Sequence, residues 1–249
     1  ATTTPDYIAQ GAACIVQNKL GLTTIPCFDL NAACTGFIYG LEVAYSLVKS
    51  GLYKNVLVIG AETLSRIVDM RNRNTCVLFG DGAAAAIVGQ VEEGYGFLGL
   101  SIGAEGEDDM ILKVPAGGSK KPNDEETIKN RENFVVMKGQ EVFKFAVSTL
   151  PKVTLDALEK AKIEVKDLSW VFPHQANSRI IEAAAKRMKF PIERFYMNLS
   201  RYGNTSSASV GIALGEAIEK GLVKKGDNIA LTGFGGGLTY GSAIIKWAY

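Results

Sequence analysis

The sequence predicts an α/β fold made of two pseudo-repeated halves. Apolar runs typical of buried strands alternate with segments whose apolar residues recur at helical spacing. Residues 34–91 and 204–247 also share one order of elements: a helix ending in Gly-Leu, an Asn-led apolar strand, a glycine turn and a second strand. We therefore expect an N-terminal half over residues 1–92 and a C-terminal half over residues 93–249.

The composition is that of an ordinary globular protein. The chain has 249 residues, of which 47% are hydrophobic and 21% charged, and its formal charge is +1. This balance argues against a nucleic-acid partner, and no run approaches the roughly 18 apolar residues of a membrane helix. The four cysteines lack CxxC spacing, so neither a zinc site nor a dithiol redox motif is indicated. We expect reduced thiols in a cytoplasmic protein without membrane partners.

The first predicted helix covers residues 8–20. Thr4 and Pro5 suit the entry to a helix, because one can cap it and the other fits its first turn. Apolar residues then recur at helical spacing, and Gly21 suits the end.

A strand over residues 25–30 and a helix over residues 34–49 follow. The strand is a short apolar run, and the helix repeats apolar residues at helical spacing before Gly51. Cys34 therefore lies at a strand-to-helix corner.

Two strands complete the first half. Residues 55–60 are apolar after Asn55, which predicts a strand buried on both faces of its sheet. The polar residues 61–75 are expected on the surface. The alanine-rich residues 83–91 are interpreted as a strand because the repeat requires one there.

The second half continues the alternation. Pro151 is expected to kink or break its first helix. The predicted elements are a strand at 94–102, a long connection at 104–134, a helix at 139–163, a strand at 168–172, a helix at 180–188, a strand at 195–199, a helix ending at 220, and strands at 228–232 and 242–247.

The position of Cys34 allows two interpretations. A thiol at the start of a helix faces unpaired amides and the positive end of the helix dipole, which lower its pKa below about 8.5. The same amides can hold a developing oxyanion. The alternative is a small buried cysteine that only packs the corner.

The repeat relates Asn204 to Cys34. Each lies 17 residues before a helix-ending glycine, since 51 − 34 and 221 − 204 are equal. We therefore predict that the two residues occupy equivalent helix starts. Two halves meeting face to face would bring the thiol and the carboxamide towards one point.

His174 is the only histidine and follows the strand predicted at 168–172. A lone histidine is commonly structural, and that alternative stays open. Pro173 and Asn177 fix a turn around it. Cysteine, histidine and an amide are a known set for nucleophilic thiol chemistry.

Five motifs in their joint order carry a family resemblance. They are Asn31-Ala32-Ala33-Cys34-Thr35-Gly36-Phe37, Phe79-Gly80-Asp81-Gly82-Ala83, Pro173-His174-Gln175-Ala176-Asn177, Gly203-Asn204-Thr205-Ser206 and Gly233-Phe234-Gly235-Gly236-Gly237. The chain resembles the β-ketoacyl-acyl carrier protein synthase III family of thiolase-fold condensing enzymes. The resemblance implies two halves with mixed five-stranded sheets in an α-β-α-β-α layering, the first half being incomplete.

The resemblance implies a decarboxylating Claisen condensation that starts fatty acid synthesis. Cys34 would take an acyl group from acyl-coenzyme A, and malonyl-acyl carrier protein would lose carbon dioxide and attack that thioester. His174 and Asn204 would bind the malonyl thioester oxygen. The backbone amides of Cys34 and Gly236 would form the other oxyanion hole.

Further site residues follow from the resemblance only. Arg73 and Asn177 match coenzyme A contacts. Phe79 and Val135 match acyl-pocket walls, although core packing explains them equally well. Four basic residues match an acyl carrier protein patch, the alternative being a solvated helix face: Lys144, Arg179, Lys186 and Arg187.

The implied partners are acyl carrier protein and acyl-coenzyme A, with a homodimer, no cofactor and no metal. Elongating synthases, which resemble a Cys-His-His set, are excluded by the single histidine. A type III polyketide synthase-like enzyme and a non-catalytic thiolase-fold partner of a carrier protein remain alternatives.

The first half departs from the family pattern. It lacks one strand, one helix and another strand before Ala1. We expect the chain to be a fragment that binds acyl-coenzyme A poorly or folds incompletely. Primer preference is not fixed by the sequence.

Overall fold

The computed structural model describes residues 1–107 and 110–249, so two residues of the predicted connection at 104–134 lie outside the described part. The helices are α1 (Ala12–Lys19), α2 (Gly36–Lys49), α3 (Glu125–Lys129), α4 (Gly139–Ala161), α5 (Ser178–Met188), α6 (Leu199–Tyr202) and α7 (Ser209–Glu219). The strands are β1 (Asn55–Thr63), β2 (Asp81–Gly89), β3 (Gly96–Ala104), β4 (Leu112–Lys113), β5 (Val136–Met137), β6 (Trp170–Pro173), β7 (Asn228–Gly235) and β8 (Thr239–Lys246).

The larger sheet has the strand order β3-β8-β7-β6. β8 pairs antiparallel with both β3 and β7, whereas β6 and β7 are parallel. α4 and α5 pack on one face of this sheet. On the other face α2 and α7 separate it from the β1-β2 pair, so helices and sheets alternate in layers.

The strand predicted at 195–199 is wrong. Only Phe195 makes a bridge, to Val171, and α6 begins at Leu199. The side chain of Gln175 explains the difference, because its carbonyl oxygen accepts the amides of Asn198 and Leu199 at 3.0 and 3.2 Å. A buried side chain thus replaces the neighbouring strand, and the described sheet has four strands.

The described residues form two further sheets of two strands each, the antiparallel pairs β1-β2 and β4-β5. Burial alternates along β1 and β2, and Leu57 and Ile87 are 44% and 73% exposed. The prediction that residues 55–60 are covered on both faces is therefore wrong. The strand predicted at 25–30 is also wrong, since the described residues place no strand beside it to pair with.

The first helix begins at Ala12, not near Ile8 as predicted. The carboxylate of Asp29 accepts the amides of Ala12 and Ala13 at 2.6 and 2.8 Å, and this fixes the start. The threonine predicted to cap the helix, Thr4, instead donates its hydroxyl to Glu62 at 2.8 Å. A distant carboxylate therefore overrides the local signal.

The long helix α4 runs through Pro151 without ending, so the predicted break does not occur. Its apolar face packs into a core with α5, β6 and β7. None of the helices in the described part of the chain is long and apolar enough to cross a membrane.

The starts of α2 and α7 show that the predicted equivalence of Cys34 and Asn204 is wrong. Each helix follows a 3₁₀ turn whose first residue, Ala33 or Ser206, has a positive φ of 46° or 47°. Aligning these turns places Cys34 opposite Ser207 and leaves Asn204 three positions earlier than expected. The spacings from Cys34 to Gly51 and from Asn204 to Gly221 are equal only because α7, with 11 residues, is shorter than α2, with 14.

Candidate active site

Cys34, His174 and Asn204 all line one cavity of about 80 Å³. They reach it from the turn before α2, from the segment after β6 and from the loop after α6. Apolar side chains form most of the remaining wall: Leu78, Phe79, Leu112, Met137, Val142, Phe143, Phe145, Ala176, Ile180, Phe234 and Leu238. Three polar groups far apart in sequence thus share one narrow, largely apolar space.

The backbone around Cys34 is tightly packed against the end of β7. A Cβ on Gly235 would lie 2.7 Å from the amide nitrogen of Cys34, so this close approach requires glycine. The amides of Gly236 and of Cys34 itself lie near the sulfur and lower the pKa of the thiol. Two amide donors therefore converge where an oxyanion next to the sulfur would form.

Burial raises the pKa of the Cys34 thiol to about 11. The Ser206 hydroxyl and the two amides lower this pKa, but desolvation raises it by more. The prediction of a pKa below the free value is wrong, because it considered the effect of the helix start, which lowers the pKa, and not the effect of burial, which raises it. Cys34 rests as a neutral thiol that is 6% exposed.

His174 is held on both its backbone and its ring. Its amide donates to the carbonyl of Thr232 at 2.8 Å, and Nδ1 lies 2.6 Å from the hydroxyl of Ser209. The ring of Phe234 meets it edge-on at 5.5 Å. Burial lowers the pKa of His174 to about 3, so the ring is neutral and only Nε2 is left for the cavity.

Asn204 is fixed by the loop that follows Thr75. Its amide donates to the carbonyl of Leu78 at 2.8 Å, and its carbonyl accepts the amide of Gly80 at 2.9 Å. Its side-chain oxygen accepts the amide of Ser206 at 2.8 Å. The carboxamide NH₂ then remains as a donor, with no acceptor for it among the described residues.

Two serines that the sequence did not single out contact members of the triad, which is the set of Cys34, His174 and Asn204. Ser206 bonds the sulfur of Cys34, and Ser209 bonds the ring of His174. Ser206 is the last residue of the Gly-Asn-Thr-Ser motif and Ser209 lies three residues after it, and this motif was the available signal. Serines at a helix start are usually interpreted as helix caps, so the contacts of Ser206 and Ser209 could be found only from the fold.

Of the four predicted coenzyme A contacts and acyl-pocket walls, two line the cavity and two do not. Phe79 and Asn177 line the cavity, and Asn177 also accepts the amide of Arg179 at 2.9 Å to cap α5. Val135 is buried outside the cavity lining, where its amide donates to Ile67 at 2.8 Å. Arg73 is exposed and does not line the cavity either.

The four predicted basic residues are exposed on two helices that pack against each other. Lys144 lies on α4, whereas Arg179, Lys186 and Arg187 lie on α5. Within the described ranges no group of three or more His, Cys, Asp or Glu side chains suits a metal ion.

Two family models match the chain. Residues 28–106 match 3-oxoacyl-[acyl-carrier-protein (ACP)] synthase III, and residues 158–247 match the C-terminal region of the same synthase. The first match contains Cys34, and the second contains His174 and Asn204.

Curated and solved relatives agree with these models. The chain is 91% identical over 249 residues to the β-ketoacyl-[acyl-carrier-protein] synthase III of Fusobacterium nucleatum, covering all of this chain and 76% of the relative. It is 53% identical to that of Caldanaerobacter subterraneus, covering 100% and 75%. The crystal structure of 3-oxoacyl-[acyl-carrier-protein] synthase III from Aquifex aeolicus superposes with a TM-score of 0.89 at 44% identity, covering 99% of this chain and 75% of that one.

Proposed function

Because the chain belongs to the 3-oxoacyl-[acyl-carrier-protein] synthase III family, we propose that it condenses an acyl-coenzyme A primer with malonyl-acyl carrier protein. The products are 3-oxoacyl-acyl carrier protein, carbon dioxide and coenzyme A, and the reaction initiates fatty acid synthesis. The chain has the thiolase fold of its structural neighbours. The convergence of Cys34, His174 and Asn204 on one cavity is the observation that carries the proposal.

The first half-reaction transfers the acyl group to Cys34. Its sulfur attacks the thioester carbonyl of the primer, and the carbonyl oxygen becomes an oxyanion within reach of the amides of Cys34 and Gly236. When the intermediate collapses, the carbon–sulfur bond to coenzyme A breaks. The thiol proton of Cys34 leaves with coenzyme A, so an acyl thioester and a free thiol result.

The second half-reaction makes and uses a carbanion. Loss of carbon dioxide from the malonyl group puts negative charge on its thioester oxygen, which the Nε2–H of His174 and the carboxamide of Asn204 stabilise. The low pKa of His174 supports this role, because a neutral ring remains a hydrogen-bond donor without taking part in acid–base equilibria near pH 7. The carbanion then attacks the acyl carbon and releases the Cys34 thiolate, which takes up a proton.

The remaining contacts are proposed from the positions that these residues share with the family. Lys144, Arg179, Lys186 and Arg187 would bind the acidic carrier protein, and their exposure on α4 and α5 supports this. Asn177 and Arg73 would contact coenzyme A, while Phe79 would wall the acyl pocket and Val135, which lies outside the cavity lining, would not. No cofactor beyond the substrates is needed, and a homodimer in a cytoplasm is proposed from the family.

Mass spectrometry after incubation with acetyl-coenzyme A tests the nucleophile. An acetyl adduct is expected on the wild-type chain and on Cys76→Ala, which serves as the control, and none on Cys34→Ala. An adduct that persists in Cys34→Ala would remove Cys34 as the nucleophile. No adduct on the wild type would instead favour a non-catalytic partner of the carrier protein.

Carbon dioxide release from malonyl-acyl carrier protein tests the other two roles. His174→Ala and Asn204→Ala are expected to keep acylation of Cys34 but to lose about two to three orders of magnitude in release. Full release in both variants would refute their assignment to decarboxylation.

A further inference from the structure

The thiols of Cys14 and Cys27 lie next to each other outside the candidate active site. Their sulfur atoms are 3.4 Å apart, with the Cys27 thiol donating to the Cys14 sulfur, although the residues are 13 positions apart in sequence. Cys14 is exposed and Cys27 is partly exposed. The proposed condensation uses neither of them.

Several hydrogen bonds hold the two segments in this arrangement. The carboxylate of Asp29 accepts the amides of Ala12 and Ala13, which fixes the start of α1 against the segment after Cys27. The side-chain amide of Gln17 donates to the carbonyl of Ile25 at 3.0 Å. Because these bonds flank both cysteines, the thiols are brought together by the fold and not by sequence proximity.

We propose that Cys14 and Cys27 form a reversible dithiol–disulfide site that a small disulfide oxidant, such as glutathione disulfide, closes. Forming the bond closes the gap between the sulfurs from 3.4 Å to the roughly 2.05 Å of a disulfide. A modification site of this kind is independent of the acyl-transfer chemistry.

The exchange balances in two steps. The Cys14 thiolate attacks glutathione disulfide, forming a mixed disulfide and releasing one glutathione thiolate. Cys27 then loses its proton and its sulfur attacks the Cys14 sulfur, so the second glutathione leaves and the protein disulfide remains. The two cysteines lose two electrons and two protons in total, and glutathione disulfide becomes two glutathione thiols.

The order of the two steps follows from the hydrogen bond between the thiols. Cys27 donates it and Cys14 accepts it, and Cys14 is also the more exposed of the two, so Cys14 is the thiol that meets the oxidant first. The same bond raises the pKa of the Cys27 thiol, which keeps Cys27 protonated until the mixed disulfide forms. Cys34 does not compete, because it is 6% exposed and burial raises its pKa.

Thiol counting and peptide mapping test the site. The full chain is incubated with excess glutathione disulfide, alkylated and digested without reductant. We expect the reactive thiols of the unfolded protein to fall from four to two, a loss of two hydrogens in the intact mass, and one Cys14–Cys27 cross-linked peptide. Dithiothreitol should restore all four thiols.

Matched variants separate this pair from general thiol oxidation. Cys27→Ser should stop at a stable glutathione adduct on Cys14, and Cys14→Ser should give no cross-linked peptide. Cys76→Ser should form the disulfide as the wild type does. Glutathione adducts on both Cys14 and Cys27 of the wild type without a cross-link, or a cross-link to another cysteine, would overturn the proposal.

Discussion

The Nδ1 of His174 lies 2.6 Å from the hydroxyl oxygen of Ser209, and this contact sets which ring nitrogen carries the proton. The Ser209 oxygen also accepts the amide of Gln175 at 3.5 Å, so its own hydrogen is free to point at Nδ1. A hydroxyl that donates to Nδ1 leaves the ring proton on Nε2. That tautomer presents a donor to the cavity, as decarboxylation requires.

Ser209→Ala is therefore expected to slow carbon dioxide release from malonyl-acyl carrier protein by about 5- to 150-fold, which corresponds to about 1–3 kcal/mol for one buried partner left without its hydrogen bond. Acylation of Cys34 should keep its wild-type rate, because Ser209 does not contact the sulfur. Ser207→Ala is the matched control, since this buried serine donates to Glu62 and not to His174. Equal loss in both variants would show a structural effect only.

Ser206 is expected to tune the reactivity of Cys34. Its hydroxyl donates to the sulfur and lowers the pKa of the thiol against the effect of burial. Ser206→Ala should move the pH profile of Cys34 alkylation by iodoacetamide to higher pH, because a higher thiol pKa leaves less thiolate at neutral pH. A rise of about one in that pKa reduces the thiolate fraction, and with it the alkylation rate, roughly tenfold. Liquid chromatography with mass spectrometry of the Cys34 peptide measures this rate.

A second substitution at the same position controls for backbone strain. Ser206 has a φ of 47°, which glycine adopts without cost, so Ser206→Gly removes the hydroxyl while favouring the native backbone. Both variants should move the profile alike. A profile unchanged in Ser206→Gly would mean that the hydroxyl does not act on the sulfur.

Because His174 and Cys34 are buried, the stability of the protein should depend on pH both in acid and in alkali. The pKa of His174 is about 3 in the folded chain against an ordinary 6.5, so the unfolded chain binds one more proton between these values. The free energy of unfolding should fall by about 1.4 kcal/mol for each pH unit below 6.5. Urea titrations of wild type and His174→Gln between pH 4 and pH 7 measure this slope, which the variant should lack.

Cys34 gives the opposite sign in alkali. Its folded pKa of about 11 lies above the ordinary 9.0, so the unfolded chain releases its proton first and stability should fall as pH rises from 9 towards 11. Cys34→Ala removes this contribution, whereas Cys76→Ala leaves it. A pH dependence identical in wild type and Cys34→Ala would contradict the buried neutral thiol.

That Cys34, His174 and Asn204 share one cavity could be predicted because each lies in a motif with a characteristic order, whereas their catalytic roles stay a prediction. Helices such as α2 and α5 and strands such as β1 and β7 were predictable from their apolar periods. The predictions that were wrong depended on contacts between residues distant in sequence, which no local pattern encodes. Asp29 decides where α1 begins, and the side chain of Gln175 replaces a strand near Asn198.

The electrostatics of the site were less predictable than its members. A helix start lowers the pKa of a thiol, but the depth at which the fold buries Cys34 decides the outcome. The glycine spacing likewise suggested that Asn204 matches Cys34, whereas a missing turn in α7 makes Ser207 its counterpart. The division into halves at residues 92 and 93 stays a prediction.

Gly80 offers a way to disturb Asn204 without touching its side chain. A Cβ at this position would lie 2.0 Å from the carbonyl oxygen of Tyr202, and the amide of Gly80 donates to the carbonyl of Asn204. Gly80→Ala must therefore push apart two backbone segments and displace the carboxamide.

We expect Gly80→Ala to lose roughly 1–3 kcal/mol of unfolding free energy, as overpacking commonly does. Per folded molecule, carbon dioxide release should fall at least about tenfold because a displaced donor forfeits its oxyanion interaction, while acylation of Cys34 falls less. Gly215→Ala in α7 is the matched control, because nothing lies within 4 Å of its added Cβ and alanine favours a helix. If decarboxylation by folded Gly80→Ala equals that of Gly215→Ala, the position of Asn204 does not depend on the loop containing Gly80.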